Sequence, residues 1–197
     1  SEDIGEAFFR WLIAGKMLPS MTPDQDVYGE YEERVADNRA AGYSWAVSMM
    51  SGLDEADVAR WSGQLAAAWP NYRPLMSTML SLLTDAGVDV WIVSASNRWT
   101  VAATASKMGF SADRVVGMSV EVDDGVLTDR PELPLICNAG KVEGIDKVIG
   151  RRPDLAIGDS MGDIEMLEAA RQPLVIGRRD KADAELVQVA TARGWPI

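Results

Sequence analysis

Two carboxylates at a spacing of four, Asp159 and Asp163, sit in the run Asp154-Leu155-Ala156-Ile157-Gly158-Asp159-Ser160-Met161-Gly162-Asp163-Ile164-Glu165-Met166-Leu167. It reads as a buried strand ending on one carboxylate, a loop hinged by Gly158 and Gly162, and a second carboxylate that opens a helix. The strand tip holds Asp159 in place, and the spacing lets Asp163 face the same point in space. Oxygen-only ligands favour a hard cation, and Mg²⁺ takes one or two carboxylates while water and phosphate oxygens fill its other positions. The plainer alternative is a solvated loop with two helix-capping acids, since Asp is a favoured N-cap.

Two further stretches carry chemistry if they converge on that loop. In Trp91-Ile92-Val93-Ser94-Ala95-Ser96-Asn97 a buried strand ends in a small hydroxyl residue, and the small Ala95 and Ser96 expose backbone N–H groups at the entry to a helix. Helix N-termini with open amides bind anions, and ligands of open α/β sheets sit at the carboxyl ends of the strands, so a phosphate suits this stretch. Alternatively Ser94 and Ser96 merely cap the helix. In Asn138-Ala139-Gly140-Lys141 a lysine stands at a helix start, where the dipole disfavours a cation. Lys141 therefore calls for an anionic partner, unless it is an ordinary surface lysine.

Composition narrows the chemistry. With 197 residues, 47% hydrophobic and 25% charged, the chain suits one domain plus an insertion or small subdomain. A formal net charge of −11 and a pI near 4.5 argue against nucleic acid or an anionic membrane as partner, so an anionic substrate must be met locally by a cation or by backbone amides. No apolar run is long enough to span a bilayer. Cys137 is the one cysteine, which rules out an intrachain disulfide and fits a reducing compartment, with the cytoplasm as the expectation. Histidine is absent. That removes imidazole acid/base chemistry, Ser-His triads and His-ligated zinc, and leaves carboxylates, lysine and metal.

The elements that must position these groups follow from periodicity. The first seventy or so residues read as all-helical. An apolar pattern through Ala7, Phe8, Trp11 and Leu12 comes first, and Thr22-Pro23-Asp24-Gln25 offers a cap, a first-turn proline and a capping-box glutamine for a helix carrying Val27, Tyr31 and Val35. Further helices are expected around Tyr43 to Met50 and from Asp54-Glu55 to Trp69, stopped by Pro70. After Pro74 helices alternate with short strands: helices at 75–86, 99–108, 141–149, 164–170 and 182–192, and strands at 88–93, 115–116, 155–158 and 174–176. Asp123-Asp124-Gly125 between apolar runs marks a hairpin within 115–130.

Taken in this order, Val93-Ser94-Ala95-Ser96, Gly140-Lys141 and Gly158-Asp159-Ser160-Met161-Gly162-Asp163 resemble the second, third and fourth motifs of the haloacid dehalogenase superfamily, in its phosphoserine phosphatase-like branch. The resemblance implies an α/β fold, a Rossmann-like three-layer parallel sheet, with 1–72 as a helical cap segment and 73–197 as the core. It implies that Ser94 hydrogen-bonds a phosphoryl oxygen beside Ala95 and Ser96, that Lys141 neutralises phosphoryl charge, that Asp159 binds Mg²⁺ directly, and that Asp163 completes or orients the metal shell. The superfamily's first motif, Asp-x-Asp-x-Thr, carries the aspartyl nucleophile and is expected just ahead of Asp3, upstream of residue 1. The implied activity is a phosphomonoesterase acting on a small phosphorylated molecule through an aspartyl-phosphate. The alternatives are a phosphotransferase of the same fold or a non-catalytic phosphate- and metal-binding relative. Phosphoserine and phosphocholine phosphatases carry an acid for the substrate's ammonium in the region of Glu6, which makes Glu6 the candidate contact to an ammonium-bearing leaving group. Trp11, Trp45, Trp61 and Trp69 offer aromatic faces to such a cation or, alternatively, fill the core of the cap.

Overall fold

The computed structural model describes residues 3–70, 72, 74–177 and 184–197. Five helices come first: α1 (Ile4–Ala14), α2 (Val27–Asp37), α3 (Arg39–Ser48), α4 (Glu55–Ala68) and α5 (Pro74–Asp85). Then β1 (Ile92–Asn97), α6 (Arg98–Lys107), β2 (Val115–Met118), β3 (Val120–Asp123), β4 (Val126–Pro131), α7 (Ala139–Val148), β5 (Leu155–Gly158), α8 (Ile164–Ala169), β6 (Gln172–Val175) and α9 (Ala184–Arg193) alternate as α/β structure. Among the described residues the strands form three pairs, β1 with β2 and β5 with β6 parallel, and β3 with β4 antiparallel. The chain divides into two compact units, one ending at Leu133 and one beginning at Pro134.

In the unit ending at Leu133, Phe8, Leu12, Val27, Met50, Val58 and Leu127 are sealed from solvent and form the centre of the core. Short polar side chains set the helix starts: Asp3 accepts from the Glu6 amide, Asp26 from Gly29, Asn38 from Ala41, Asp54 from Ala56 and Asn97 from Thr100. The second helix therefore starts later than Thr22-Pro23 suggests. Gln25 accepts from the Thr22 amide at 3.3 Å, as in a capping box, but this closes only a turn, and Asp26 provides the cap at Val27. The hairpin forms at Asp124-Gly125, both at positive φ, with Asp123 opposite Val126. It is held on the start of α4 by backbone bonds between Leu127 and Leu53, Gly52 and Leu127, and Glu55 and Gly125.

The strand expected at Val88–Val93 begins later and is only half-buried. Val88 is exposed, Asp89 accepts from the Trp91 indole and pairs with Arg114, and this holds the approach as a loop until Ile92 joins Val115. β1 pairs with β2 alone among the described residues, which accounts for its half-buried pattern. The last helix runs from Ala184 to Arg193, so positions 182–183 of the expected helix lie outside the described residues.

In the unit beginning at Pro134, Ala156 and Val175 on the paired strands and Ile145, Met166, Leu167 and Leu186 on the helices are buried together in its core. β5 and β6 run in register from Leu155 opposite Gln172 to Gly158 opposite Val175.

Candidate active-site residues

The carboxyl end of β5 delivers Asp159 into a tight turn. Gly158 keeps an ordinary φ, but a Cβ there would lie 2.6 Å from the Asp163 Cβ, so its role is to let Asp163 lie across the strand end. Gly162 has no such need, since a Cβ there would meet nothing closer than 3.6 Å.

Asp163 closes a single 3₁₀ turn, Met161–Asp163, ahead of α8. Its carboxylate is fully engaged. One oxygen accepts from Lys141 Nζ at 2.5 Å, and the other accepts from the Asp159 amide, the Ser160 amide and the Ser160 hydroxyl at 3.0–3.1 Å. Both side chains of the ion pair are over nine-tenths buried. Burial opposes ionisation of Asp163, but the Lys141 ammonium and the donors from Asp159 and Ser160 outweigh it and hold the carboxyl below its usual range. A depressed folded pKa gives stability that is complete above the ordinary value of 3.8 and is lost as pH falls through the lower folded value. Acid unfolding followed by circular dichroism should show this limb below pH 3.8, and Asp163→Asn should flatten it.

Lys141 lies in the first turn of α7, and its anionic partner is Asp163. The approach to it is a tightly wound turn in which Cys137 N–H donates to Leu135, Gly140 to Cys137 and Lys141 to Asn138. Asn138 adopts φ 50°, ψ −126°, a conformation that glycine favours. At Gly140 a Cβ would come within 1.8 Å of the Leu135 carbonyl oxygen. Gly140→Ala should therefore cost about 2 kcal/mol or more in urea denaturation, because the clash is with backbone that cannot rotate away. Sequence reasoning identified Lys141 but missed Asn138 and this close approach; the signal was the Asn-x-Gly at a helix entry.

In the unit ending at Leu133, β1 runs through Ser94 to Asn97, and its ladder with β2 shifts between Ser94 and Asn97, so Ala95 and Ser96 leave the regular pairing. Neither serine caps α6; Asn97 does so. Ser94 Oγ accepts from the Ser96 amide at 3.2 Å, so that amide already has a partner within the irregular end of β1. Ser96 Oγ donates to Asp3 Oδ1 at 3.4 Å, and a Cβ on Gly5 would lie 2.6 Å from the Ser96 Cβ. The start of α1 is thus pressed against the carboxyl end of β1, a contact that sequence reasoning did not foresee.

Glu6, in the first turn of α1, accepts from the Tyr28 hydroxyl. Burial first, then the bond to Glu6 and the charges of Glu6 and Glu32, push Tyr28 up to about 12. Glu6 lines an open cavity of about 460 Å³ whose walls are tyrosines and acids, not tryptophans. Trp11 packs with Phe8 and Trp61, and Trp45 with Phe9 and beneath Arg34.

For a metal, the described residues contain no cluster of three or more His, Cys, Asp or Glu side chains. The donor chemistry fits Mg²⁺ in one respect: Asp159 supplies a hard carboxylate at a rigid strand end, the kind of single anchor that Mg²⁺ uses alongside water and phosphate oxygens. Among the described residues no helix is long and apolar enough to cross a membrane.

The family model of haloacid dehalogenase-like hydrolase matches residues 2–168. A phosphoserine phosphatase of Halobacterium salinarum is 28% identical over 152 residues, 70% of this chain and 72% of that protein. A hydrolase of Mycobacterium leprae is 28% identical over 134 residues, 66% of this chain, and the matched part spans 41% of its length. The solved structure of a Bordetella pertussis Tohama I protein of unknown function superposes with a TM-score of 0.80 at 18% identity, covering 97% of this chain and 90% of that one. The fold, the order of the Ser94, Lys141 and Asp159 stretches and the match over most of the length lead to one assignment: this chain belongs to the haloacid dehalogenase-like hydrolases.

Proposed function

We propose that the chain belongs to a Mg²⁺-dependent phosphomonoesterase that acts on a small phosphorylated metabolite through an aspartyl-phosphate. The aspartyl nucleophile is assigned to a segment upstream of residue 1. The observation that carries this reading is the buried Lys141–Asp163 pair bonded to the backbone of Asp159 at the end of β5. Holding a cation at a helix start against the dipole, with its counter-ion fixed by three further donors, is an expensive arrangement for a scaffold and a useful one for an anionic substrate.

In this reading Lys141 neutralises charge on the phosphoryl oxygens, Ser94 donates a hydrogen bond to one of them, and Ala95 and Ser96 shape the loop that receives the group. Asp159 holds the metal. Asp163 positions Lys141 and the Asp159–Ser160 turn, since its own oxygens are committed within the chain. Bound Mg²⁺ supplies electrostatic stabilisation of the transferring phosphoryl group. Transfer to the upstream aspartate, with the ester oxygen leaving as the alcohol, is followed by attack of water on the aspartyl-phosphate, which releases inorganic phosphate. Residues 1–72 are assigned as the cap segment and 73–197 as the core, with Glu6 facing an ammonium on the leaving group.

Phosphate release from the upstream-extended protein, with and without Mg²⁺, tests the reading. Metal-dependent release is expected, with none from the chain lacking the upstream aspartate. Absence of release from the extended protein across a panel of small phosphate esters would favour the non-catalytic alternative.

A further inference from the structure

We infer that Asn138 is a further catalytic residue: its side-chain amide, held beside Gly162 on the turn that joins Asp159 to Asp163, donates a hydrogen bond to a phosphoryl oxygen, an assignment that rests on the phosphatase reading. Cys137 to Gly140 form a type II′ turn, closed by the Gly140 amide on the Cys137 carbonyl at 2.9 Å, with Asn138 at its first central position at φ 50°, ψ −126°. Glycine takes that position without strain, whereas a side chain is held there at a cost. The other described non-glycine residues at positive φ stand where such backbone is ordinary, Lys16 just past the end of α1 and Asp124 in the hairpin. Asn138 instead opens a helix, and unlike Asp3, Asp26, Asn38, Asp54 and Asn97 it does not cap that helix with its side chain. The side chain is exposed, and its amide makes no hydrogen bond to a described residue.

Instead of capping, the side chain reaches the turn ahead of α8. Asn138 Oδ1 lies 3.6 Å from the place a Cβ on Gly162 would take, and Ser160 Oγ lies at the same distance from it. Gly162 belongs to the 3₁₀ turn that Asp163 closes, and Asp163 holds Lys141 Nζ, so the amide stands at the margin of the residues assigned to metal and phosphate. With its oxygen toward Gly162, the NH₂ end is open to a ligand. The ligand it suits is an anion. The turn brings Asp159 and Asp163 together with Lys141, whose charge Asp163 already shares, in a chain of net charge −11. A neutral donor gives a phosphoryl oxygen a partner there without adding a charge that the empty turn would have to neutralise. That is a use for asparagine at a position whose backbone suits glycine better.

The variant that separates this role from a structural one is Asn138→Gly, which fits the II′ turn and removes the amide. In the upstream-extended protein it should leave Tm unchanged or higher, since glycine takes this backbone without strain, while kcat/KM falls about tenfold or more. The factor should be the same for phosphoserine, phosphoethanolamine and glycerol phosphate, because the contact is to the group they share. Asn138→Asp keeps the shape but sets a negative charge at that place, and its activity should fall at least as far. Calorimetry with inorganic phosphate in the presence of Mg²⁺ gives a readout apart from turnover: Asn138→Gly should bind it about tenfold more weakly than the wild type. Wild-type kcat/KM in either variant, a loss confined to one ester, or a Tm that falls together with activity in Asn138→Gly overturns the assignment, the last because it makes Asn138 a structural residue. If the extended wild type hydrolyses no ester, the phosphatase reading fails and calorimetry still decides for Asn138: weaker phosphate binding in Asn138→Gly upholds the contact, and equal binding or none removes it.

Discussion

Replacing Asp163 with asparagine should destabilise the chain by about 3 kcal/mol, because it leaves the Lys141 ammonium buried with no counter-ion. Asparagine keeps the shape and can still accept from the Asp159 and Ser160 amides, so the loss isolates the charge from the turn. The double variant Lys141→Met with Asp163→Asn should recover most of that stability, since a neutral pair needs no compensation and methionine fills the space of the lysine stem. Urea denaturation of the wild type, both single variants and the double variant forms a double-mutant cycle with a coupling of about 2 kcal/mol or more. Phosphatase activity in the extended protein should not return with stability, because the double variant lacks the cation proposed to face the phosphoryl group. A cycle with no coupling would mean that Lys141 does not depend on Asp163, and that the positioning role given to Asp163 is wrong.

Much of this arrangement was legible in the sequence because it is local. Strand, glycine, carboxylate and helix follow one another between Leu155 and Leu167, and the hairpin is announced by Asp124-Gly125, whose positive φ values few other dipeptides reach. The dipole argument also required an anion for Lys141. What it could not supply was which anion, since Asp163 lies 22 residues further on and reaches Lys141 only through the packing of α7 against α8. The same limit hid the tyrosine cavity. Tyr28 and Tyr31 share a face of α2 at a helical spacing, but Tyr43 comes from α3, which Asn38 turns back so closely that a Cβ on Gly42 would lie 2.5 Å from Val35. The tryptophans stand elsewhere, and Trp11, Trp45 and Trp61 pack with other aromatic rings. The misplaced start of α2 has a different origin: Thr22 and Gln25 do make a capping-type bond, and sequence alone does not weigh it against the charged Asp26 one residue on.

Asp159→Asn should reduce phosphate release by orders of magnitude while leaving the fold intact. The substitution keeps the shape of the side chain at the end of β5 and removes the negative charge assigned to the cation, so Mg²⁺ binds more weakly and phosphoryl charge is less well neutralised. The Asp159 backbone amide still donates to Asp163, so the turn that positions Lys141 survives. Thermal stability without metal is measured beside that of the wild type, so that any change in the fold is read apart from the change in metal binding. The separating measurement is the Mg²⁺-dependent rise in Tm: ligand binding stabilises the folded state by RT ln(1 + [L]/Kd), so a tenfold weaker site loses up to about 1.4 kcal/mol of that protection at saturating metal. A loss of activity together with a reduced Mg²⁺ shift and an unchanged metal-free Tm assigns Asp159 to the metal. Near-normal turnover at low Mg²⁺ would show that another group holds the cation, and the reading of the β5 carboxylate as the centre of the site would fall with it.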